Sequence, residues 1–222
     1  MRIILTLILS SIVALTAFAQ NTYQGSFNQI KLFGKVKCEL IKADVEKVEV
    51  ISEEDMSDKL TVGFEQKLLK IQSTKLLKDE YVVVKIYYKN FSQLSMEAGA
   101  QAYSKKRLSI DNFNLKMGSG SDFDADLETD NFTLKVGQGA IATLSGTADN
   151  INFSANTGGV IEAENFVADA CIVKTSTGGV VSIKYCENLN AAANTGGEIE
   201  YLEKPKNITQ KTGTGGSISL DK

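Results

Sequence analysis

The sequence predicts an all-β protein whose C-terminal half is a right-handed parallel β-helix, a β-solenoid with coils of about 19 residues. Three observations predict it. Asn112, Asn131, Asn150, Asp169, Asn188 and Asn207 recur every 19 residues. Each copy then reaches a glycine punctuation, running Gly118-Ser119-Gly120, Gly137-Gln138-Gly139, Thr157-Gly158-Gly159, Thr177-Gly178-Gly179, Thr195-Gly196-Gly197 and Thr214-Gly215-Gly216. Between these marks apolar and polar residues alternate, the period of a strand with one buried face. A fixed repeat decides the architecture before any motif does. A coil of this length is too short for two strands and a packed helix, and it buries its apolar face only by stacking on copies about 4.8 Å away.

In chain order, residues 1–19 read as a secretory signal peptide. Arg2 leads an apolar run from Ile3 to Leu15, and Ala17-Phe18-Ala19 supplies the cleavage pattern. The run falls short of the roughly 20 residues of a spanning helix, so no transmembrane segment is expected after signal removal. The expected location is the periplasm, the outer cell surface or the extracellular medium.

Residues 20–98 contain no glycine pair and no 19-residue row. They alternate as strands at Ile30/Leu32, Val36/Cys38/Leu40, Val48/Val50, Val62/Phe64, Leu69/Ile71, Val82/Val84/Ile86/Tyr88 and Leu94/Met96/Ala98. A solenoid needs a distinct end to cover its first coil, and this β region is placed to cap it. Residues 99–222 carry the repeats, and 20–222 form one continuous domain.

Within each repeat the residue after the Asn position (Phe113, Phe132, Ile151, Ala170, Leu189, Ile208) and the one two further on (Leu115, Leu134, Phe153, Ile172, Ala191, with Gln210 departing) define the first inward face. The turns follow at Gly120, Gly139, Gly159, Gly179, Gly197 and Gly216, since glycine permits positive φ. Phe123, Ile141, Ile161, Val181, Ile199 and Ile218 begin the second strand. The Asn row stacks on itself and bonds local backbone at corners. Beyond Leu220 nothing in the sequence covers the last strand edge, so another chain or a returning tail is expected to blunt it, a homo-oligomer through the coil end being one form.

Cys38, Cys171 and Cys186 are an odd set without metal-site spacing. A Cys171–Cys186 bridge is open to an oxidising compartment; separate small-residue packing positions are the preferred reading of the pair.

The signal peptide, the strand Phe27–Leu32 followed by Gly34, the Leu69-x-Ile71 strand and the repeated Gly-x-Gly or Thr-Gly-Gly turns together resemble the bacterial auto-transporter adhesin head domain, the GIN-type domain common in Bacteroidetes. The resemblance runs from about residue 26 to 218 and implies a β-helical, adhesin-like protein of the cell envelope. That family often places Asp directly after the repeated glycines. Here Asp122 is the nearest match, and the other copies carry Ala140, Val160, Val180, Glu198 and Ser217.

The composition excludes several chemistries. A net charge of −3 argues against a nucleic-acid partner. The absence of His removes Ser-His-Asp and Cys-His nucleophile systems and the usual zinc sites, and no cofactor is expected. Asp122, Asp124 and Asp126 share one face of a strand. They are candidates for a Ca²⁺ or glycan site, read against an ordinary solvated face. Thr157, Thr177, Thr195 and Thr214 are candidates for a hydroxyl ridge, read against turn chemistry. Lys105-Lys106-Arg107 reads as a loop between cap and repeats, with contact to an anionic glycan or lipid headgroup as the functional reading. The sequons at Asn90, Asn131, Asn152 and Asn207 are set aside for a bacterial host. The expectation is a non-enzymatic binding module for a glycan or for an envelope or host protein. Its rivals are a polysaccharide lyase or hydrolase and a purely structural assembly protein.

Overall fold

Two consecutive residues of positive φ turn each coil. Ser119/Gly120, Gln138/Gly139, Thr157/Gly158, Thr177/Gly178 and Thr195/Gly196 all lie at φ of 48–71°. This is the backbone of a type I′ turn, closed by the expected bonds from Ser121 N to Gly118 O and from Gly179 N to Ser176 O. Successive turns are stitched together by a bond from the second turn residue to the first of the next coil: Gly120 N to Gln138 O, Gly158 N to Thr177 O, Gly178 N to Thr195 O and Gly196 N to Thr214 O.

The structure, a computed structural model, describes residues 21–51, 59–74 and 80–221; the signal segment 1–19 lies outside them. The early strands are β1 (Thr22–Gln24), β2 (Gln29–Phe33), β3 (Val36–Lys42), β4 (Lys47–Val50), β5 (Leu60–Glu65), β6 (Leu68–Ser73), β7 (Val82–Tyr88), β8 (Gln93–Glu97) and β9 (Gln101–Tyr103). The repeats follow as β10 (Leu108–Ser109), β11 (Asn112–Met117), β12 (Asp122–Gly137), β13 (Ile141–Asn156), β14 (Val160–Ser176) and β15 (Val180–Ala193). β16 (Glu198–Tyr201), β17 (Asn207–Thr212) and β18 (Ser217–Leu220) finish the stack. There is no helix among the described residues, and the solenoid makes about seven turns. No helix there is long and apolar enough to cross a membrane.

Each coil has three segments. The first face holds β8, β11 and residues 131–137, 150–156, 170–175, 188–193 and 207–212 in parallel register. The second holds β9, 122–126, 141–145, 160–163, 180–183, β16 and β18. β10 with 127–129, 146–148, 167–168 and 185–186 makes the third.

The early strands are in the stack as well. β2 lies between β6 and β8, and β3 between β7 and β9, all parallel. The first coil in sequence is therefore an inner coil in space. Among the described residues, antiparallel pairing occurs only where β4 joins the outer edge of β7, β5 that of β6, and β1 that of β4. The other strands of 20–98 extend the parallel ladder, which therefore runs without a break across residue 98. Ala98 itself is not a strand residue; it sits at φ 58° and opens a turn with Gly99.

The core is a continuous column of rings. Tyr88, Phe91, Phe113, Phe132 and Phe153 follow one another at centroid separations of 4.7, 5.6, 5.2 and 5.3 Å, and Phe166 packs 6.2 Å from Phe153. All are at most 3 % exposed. Edge-to-face and offset contacts of this kind add to the area burial of large apolar side chains.

Strict counting by 19 fails in one coil. Asn150 pairs with Ala170, and Ala170 with Asn188, so Ala170 and not Asp169 occupies the Asn row. β14 carries an extra residue as a bulge against β13, and the next coil is correspondingly shorter. The inward residues there are Cys171 and Val173, while Ile172 is 41 % exposed. Ile141 is likewise outward at 38 %, and its neighbour Ala142 takes the buried place opposite Phe123 and Ile161.

The turn glycines divide into two kinds. Gly120 and Gly139 hold positive φ, as do Gly158, Gly178, Gly196 and Gly215. Gly159, Gly179, Gly197 and Gly216 instead stand where Ser121 and Ala140 stand in earlier coils, one residue later. There a Cβ would meet the preceding coil, at 2.5 Å from Val136 O for Gly159 and 2.1 Å from Ala155 O for Gly179.

Cys171 and Cys186 form a disulfide with Cα atoms 6.2 Å apart. This corrects the preferred reading of the pair as separate packing positions. Both point inward, one from the first face and one from the third, and linear spacing carries no sign of their closeness. Cys38 is a buried free thiol, and burial, reinforced by the charge of Glu39, pushes its pKa up.

Candidate functional site

The second face carries the acidic row. Asp122, Asp124 and Asp126 project outward from β12, alternating with buried Phe123, Ala125 and Leu127. Alternate side chains on one strand stand about 6.8 Å apart, so the three do not converge. No group of three or more His, Cys, Asp or Glu has metal-holding geometry among the described residues. Partial burial, with the charges of Asp124 and Glu162, holds the Asp122 carboxyl above its ordinary range against the pull of Lys37. Asp126 accepts a bond from Arg107 Nε at 3.0 Å through Oδ2, while its Oδ1 is buried without a partner.

That ion pair and the one between Lys105 and Glu39 at 3.0 Å tie the basic cluster to neighbouring coils. Two members of Lys105-Lys106-Arg107 are therefore inter-coil struts, a role invisible until the coils are stacked.

The Asn row lies at the corner between the third and first faces. Asn131 Nδ2 donates to Asn112 Oδ1 at 3.0 Å, Asn150 Nδ2 to Asn131 Oδ1 at 3.1 Å, and Asn207 Nδ2 to Asn188 Oδ1 at 2.8 Å. Where the bulge displaces Asp169, Asn188 Nδ2 turns to the Asp169 backbone carbonyl at 3.2 Å. Beside it Asp111, Asp130, Asp149 and Asp169 line an open groove of about 430 Å³.

The turn ridge lies at the opposite corner, between the first and second faces. Thr157, Thr177 and Thr195 hold φ of 48–51°, a conformation β-branched residues rarely adopt. The carbonyls of Thr177 and Thr195 accept the inter-coil bonds given above, and Thr157 N donates to Ser176 O at 3.3 Å. Beneath the ridge runs a groove of about 540 Å³ lined in part by Ser95, Lys116, Lys135, Gln138, Asn156 and Thr157. Sequence reasoning did not find this groove, because its lysines and amides come from alternate outward positions of different coils; placing the outward residues on the same 19-residue grid as the inward ones brings them together.

A parallel β-solenoid of stacked coils about 19 residues long, with polar grooves along its corners, defines the class as a repetitive-surface protein. Residues 26–205 match the family described as "Putative auto-transporter adhesin, head GIN domain", and the chain belongs to that family. Among curated proteins no sequence matches. Among solved structures, a "putative adhesin" from Bacteroides fragilis is similar at 17 % identity and TM-score 0.81, over 90 % of this chain and 94 % of that one. A "putative adhesin" from Parabacteroides merdae is similar at 15 % identity and TM-score 0.72, over 92 % and 96 %. A "Putative lipid binding protein" from Parabacteroides distasonis is similar at 20 % identity and TM-score 0.66, over 91 % and 97 %. Identities this low carry the fold.

Proposed function

We propose that the protein is an exported, non-enzymatic binding module of the cell envelope that holds an extended glycan or protein along the groove beneath the turn ridge. The observation that carries this reading is the groove itself. It is about 540 Å³, lined by polar side chains that recur from coil to coil, and a surface repeating at one strand spacing suits a ligand that repeats. The family description and the adhesin-named neighbours support the same class. The Cys171–Cys186 bridge supports export, since disulfides persist in oxidising compartments.

The lyase or hydrolase reading is the weaker one. Arg107, the only Arg after the signal segment, is engaged by Asp126. Self-association or an assembly role is supported by the last coil, where β17 is exposed along its length and Ile208 and Leu220 are 41 % and 44 % exposed. Strand edges of this kind pair with other chains.

The test is a binding screen of the labelled protein against bacterial, plant and host glycans and matrix proteins, in calcium and in chelator, with polymer size followed during incubation. Saturable binding at constant polymer length is expected. A fall in polymer length establishes an enzyme, and a blank screen with a co-purifying envelope protein establishes the assembly role.

A further inference from the structure

We propose that one outward column of the first face is a track for an acidic linear polysaccharide, an inference that rests on the binding-module reading and gives its ligand a chemical class. The strand registers align Lys70, Lys31, Ser95, Lys116, Lys135, Ser154, Lys174, Ala192 and Lys211 into a single column across nine stacked strands. Six of the nine are lysines and none is acidic. Lys31 is half-buried and the other five are exposed. None of the six is paired with a carboxylate among the described residues.

Like charges directly opposite on neighbouring strands are destabilising, and Lys116 stands opposite Lys135 and Lys31 opposite Lys70. At other places the fold pairs opposite signs between coils, as in Arg107–Asp126, Lys105–Glu39 and Lys206–Glu187. Lysine commonly guards open strand edges. The strands bearing Lys116, Lys135 and Lys174 are paired on both sides, so that role has no object here. The repulsion is left uncompensated in a protein of net charge −3.

The surroundings suit a sugar polymer. The neighbouring outward column is uncharged, with Asn114, Thr133, Asn152 and Asn190 able to exchange hydrogen bonds with hydroxyls and exposed Ile172 standing between the last two. On the other side Gln138 and Thr157 wall the groove that contains Lys116 and Lys135. Successive lysines lie one, two, one, two and two strands apart, steps of about 4.8 or about 9.6 Å. A flexible chain carrying a carboxylate or sulfate on most of its units can meet several of these lysines at once. Among the described residues, the acids on this face are Glu97 and, next to the antiparallel strands, Glu65. The corner row of Asp111, Asp130 and Asp149 lies five residues from the lysines, about 16 Å along the strand. That is about twice the screening length at physiological salt. Each exposed lysine contributes little alone; a polymer engaging several at once gains by multivalency.

The test measures binding of the purified protein to immobilised polygalacturonate, dextran sulfate and neutral dextran, with duplex DNA and phosphatidylglycerol vesicles as other polyanions. Preference for polygalacturonate or for dextran sulfate separates carboxylate from sulfate recognition, and either supports the track. Affinity should fall at least about tenfold between about 50 and about 300 mM salt. Lys116→Glu, Lys135→Glu and Lys174→Glu together should weaken binding by at least about tenfold. The same charge change at Lys89, Lys184 and Lys204 should leave it within about twofold. The pair Lys135→Ser and Lys174→Ser gives a milder loss should the triple variant fail to fold. Equal binding by both triple variants overturns the track, as does equal capture of DNA, vesicles or neutral dextran. A protein that holds neutral glycans or matrix proteins in the broader screen keeps the binding-module reading and loses the track; one that holds neither glycan nor protein loses both.

Discussion

Cys171 and Cys186 join the first and third faces of one coil across the interior, their Cα atoms 6.2 Å apart and 15 residues apart in sequence. The enclosed segment contains the whole Thr177-Gly178-Gly179 turn and the short stretch of β15 that restores the register. Cross-linking a loop of this length restricts the unfolded chain by about 3 kcal/mol. Replacing both cysteines by Ala should therefore lower the unfolding free energy by about 2–4 kcal/mol, seen as a lower urea midpoint, with reduced wild type moving the same way. An unchanged midpoint would mean that stacking alone fixes this coil.

Among the glycines that follow the turns, Gly179 lies closest to the neighbouring coil, a Cβ there lying 2.1 Å from Ala155 O and 2.4 Å from Ala155 C. Neither atom is free to move, since both belong to a paired strand. Gly179→Ala should cost about 2–4 kcal/mol. Ala140 already fills the equivalent place two coils earlier, so Ala140→Gly should cost much less, about 1 kcal/mol. Urea titration of the two variants distinguishes a crowding penalty from a general loss of turn stiffness.

The contrast between these two residues marks what the sequence makes legible. The stacked coils, the inward rows and the turns were readable because burial repeats with the chain. The slip at Asp169 and the exposure of Ile172 escape the sequence because a bulge is invisible to counting. Strict counting by 19 does place Ala142 beside Phe123 and Gly159 beside Ala140, so there the pull of the larger Ile141 and of the second glycine misleads. One signal was present: the Thr-Gly turns step from Thr157 to Thr177 to Thr195, unevenly, where the Asn row steps evenly. The parallel coils of β2–β3 and β6–β7 were hidden for a different reason, that their stacking order departs from chain order. The Asp122, Asp124 and Asp126 row was legible as a face, but its engagement by Arg107 depended on a neighbour 19 residues away.

Tyr88 begins the ring column at 1 % exposure, and burial raises its pKa from 10.0 to about 12. The folded state thus favours the neutral phenol. Stability from this group is fully present below pH 10 and is lost as pH rises through the interval from about 10 to about 12, where the unfolded chain ionises first. The loss approaches about 2–3 kcal/mol at the upper end. Tyr88→Phe should be less sensitive than wild type across that interval, measured as the difference between their denaturation midpoints at pH 9 and pH 11.5. Parallel curves would assign the alkaline loss to Tyr87 and the lysines.

Thr157 holds φ of 50° in a turn whose position suits Asn far better, because a β-branched side chain crowds its own backbone in the left-handed region. Strain of this kind costs about 1–3 kcal/mol per residue, and Thr177 and Thr195 repeat it at φ 51° and 48°. Repetition of a costly choice along one ridge points to a use for the hydroxyl and methyl that Asn cannot serve. Thr157→Asn should raise stability by about 0.5–1 kcal/mol, and the triple replacement at 157, 177 and 195 by proportionately more. If the ridge walls the binding groove, the same triple variant should bind its glycan more weakly while melting at a higher temperature. Higher stability with unchanged binding would instead assign the threonines to the turn alone and leave the groove to Lys116, Lys135 and the amides beside them.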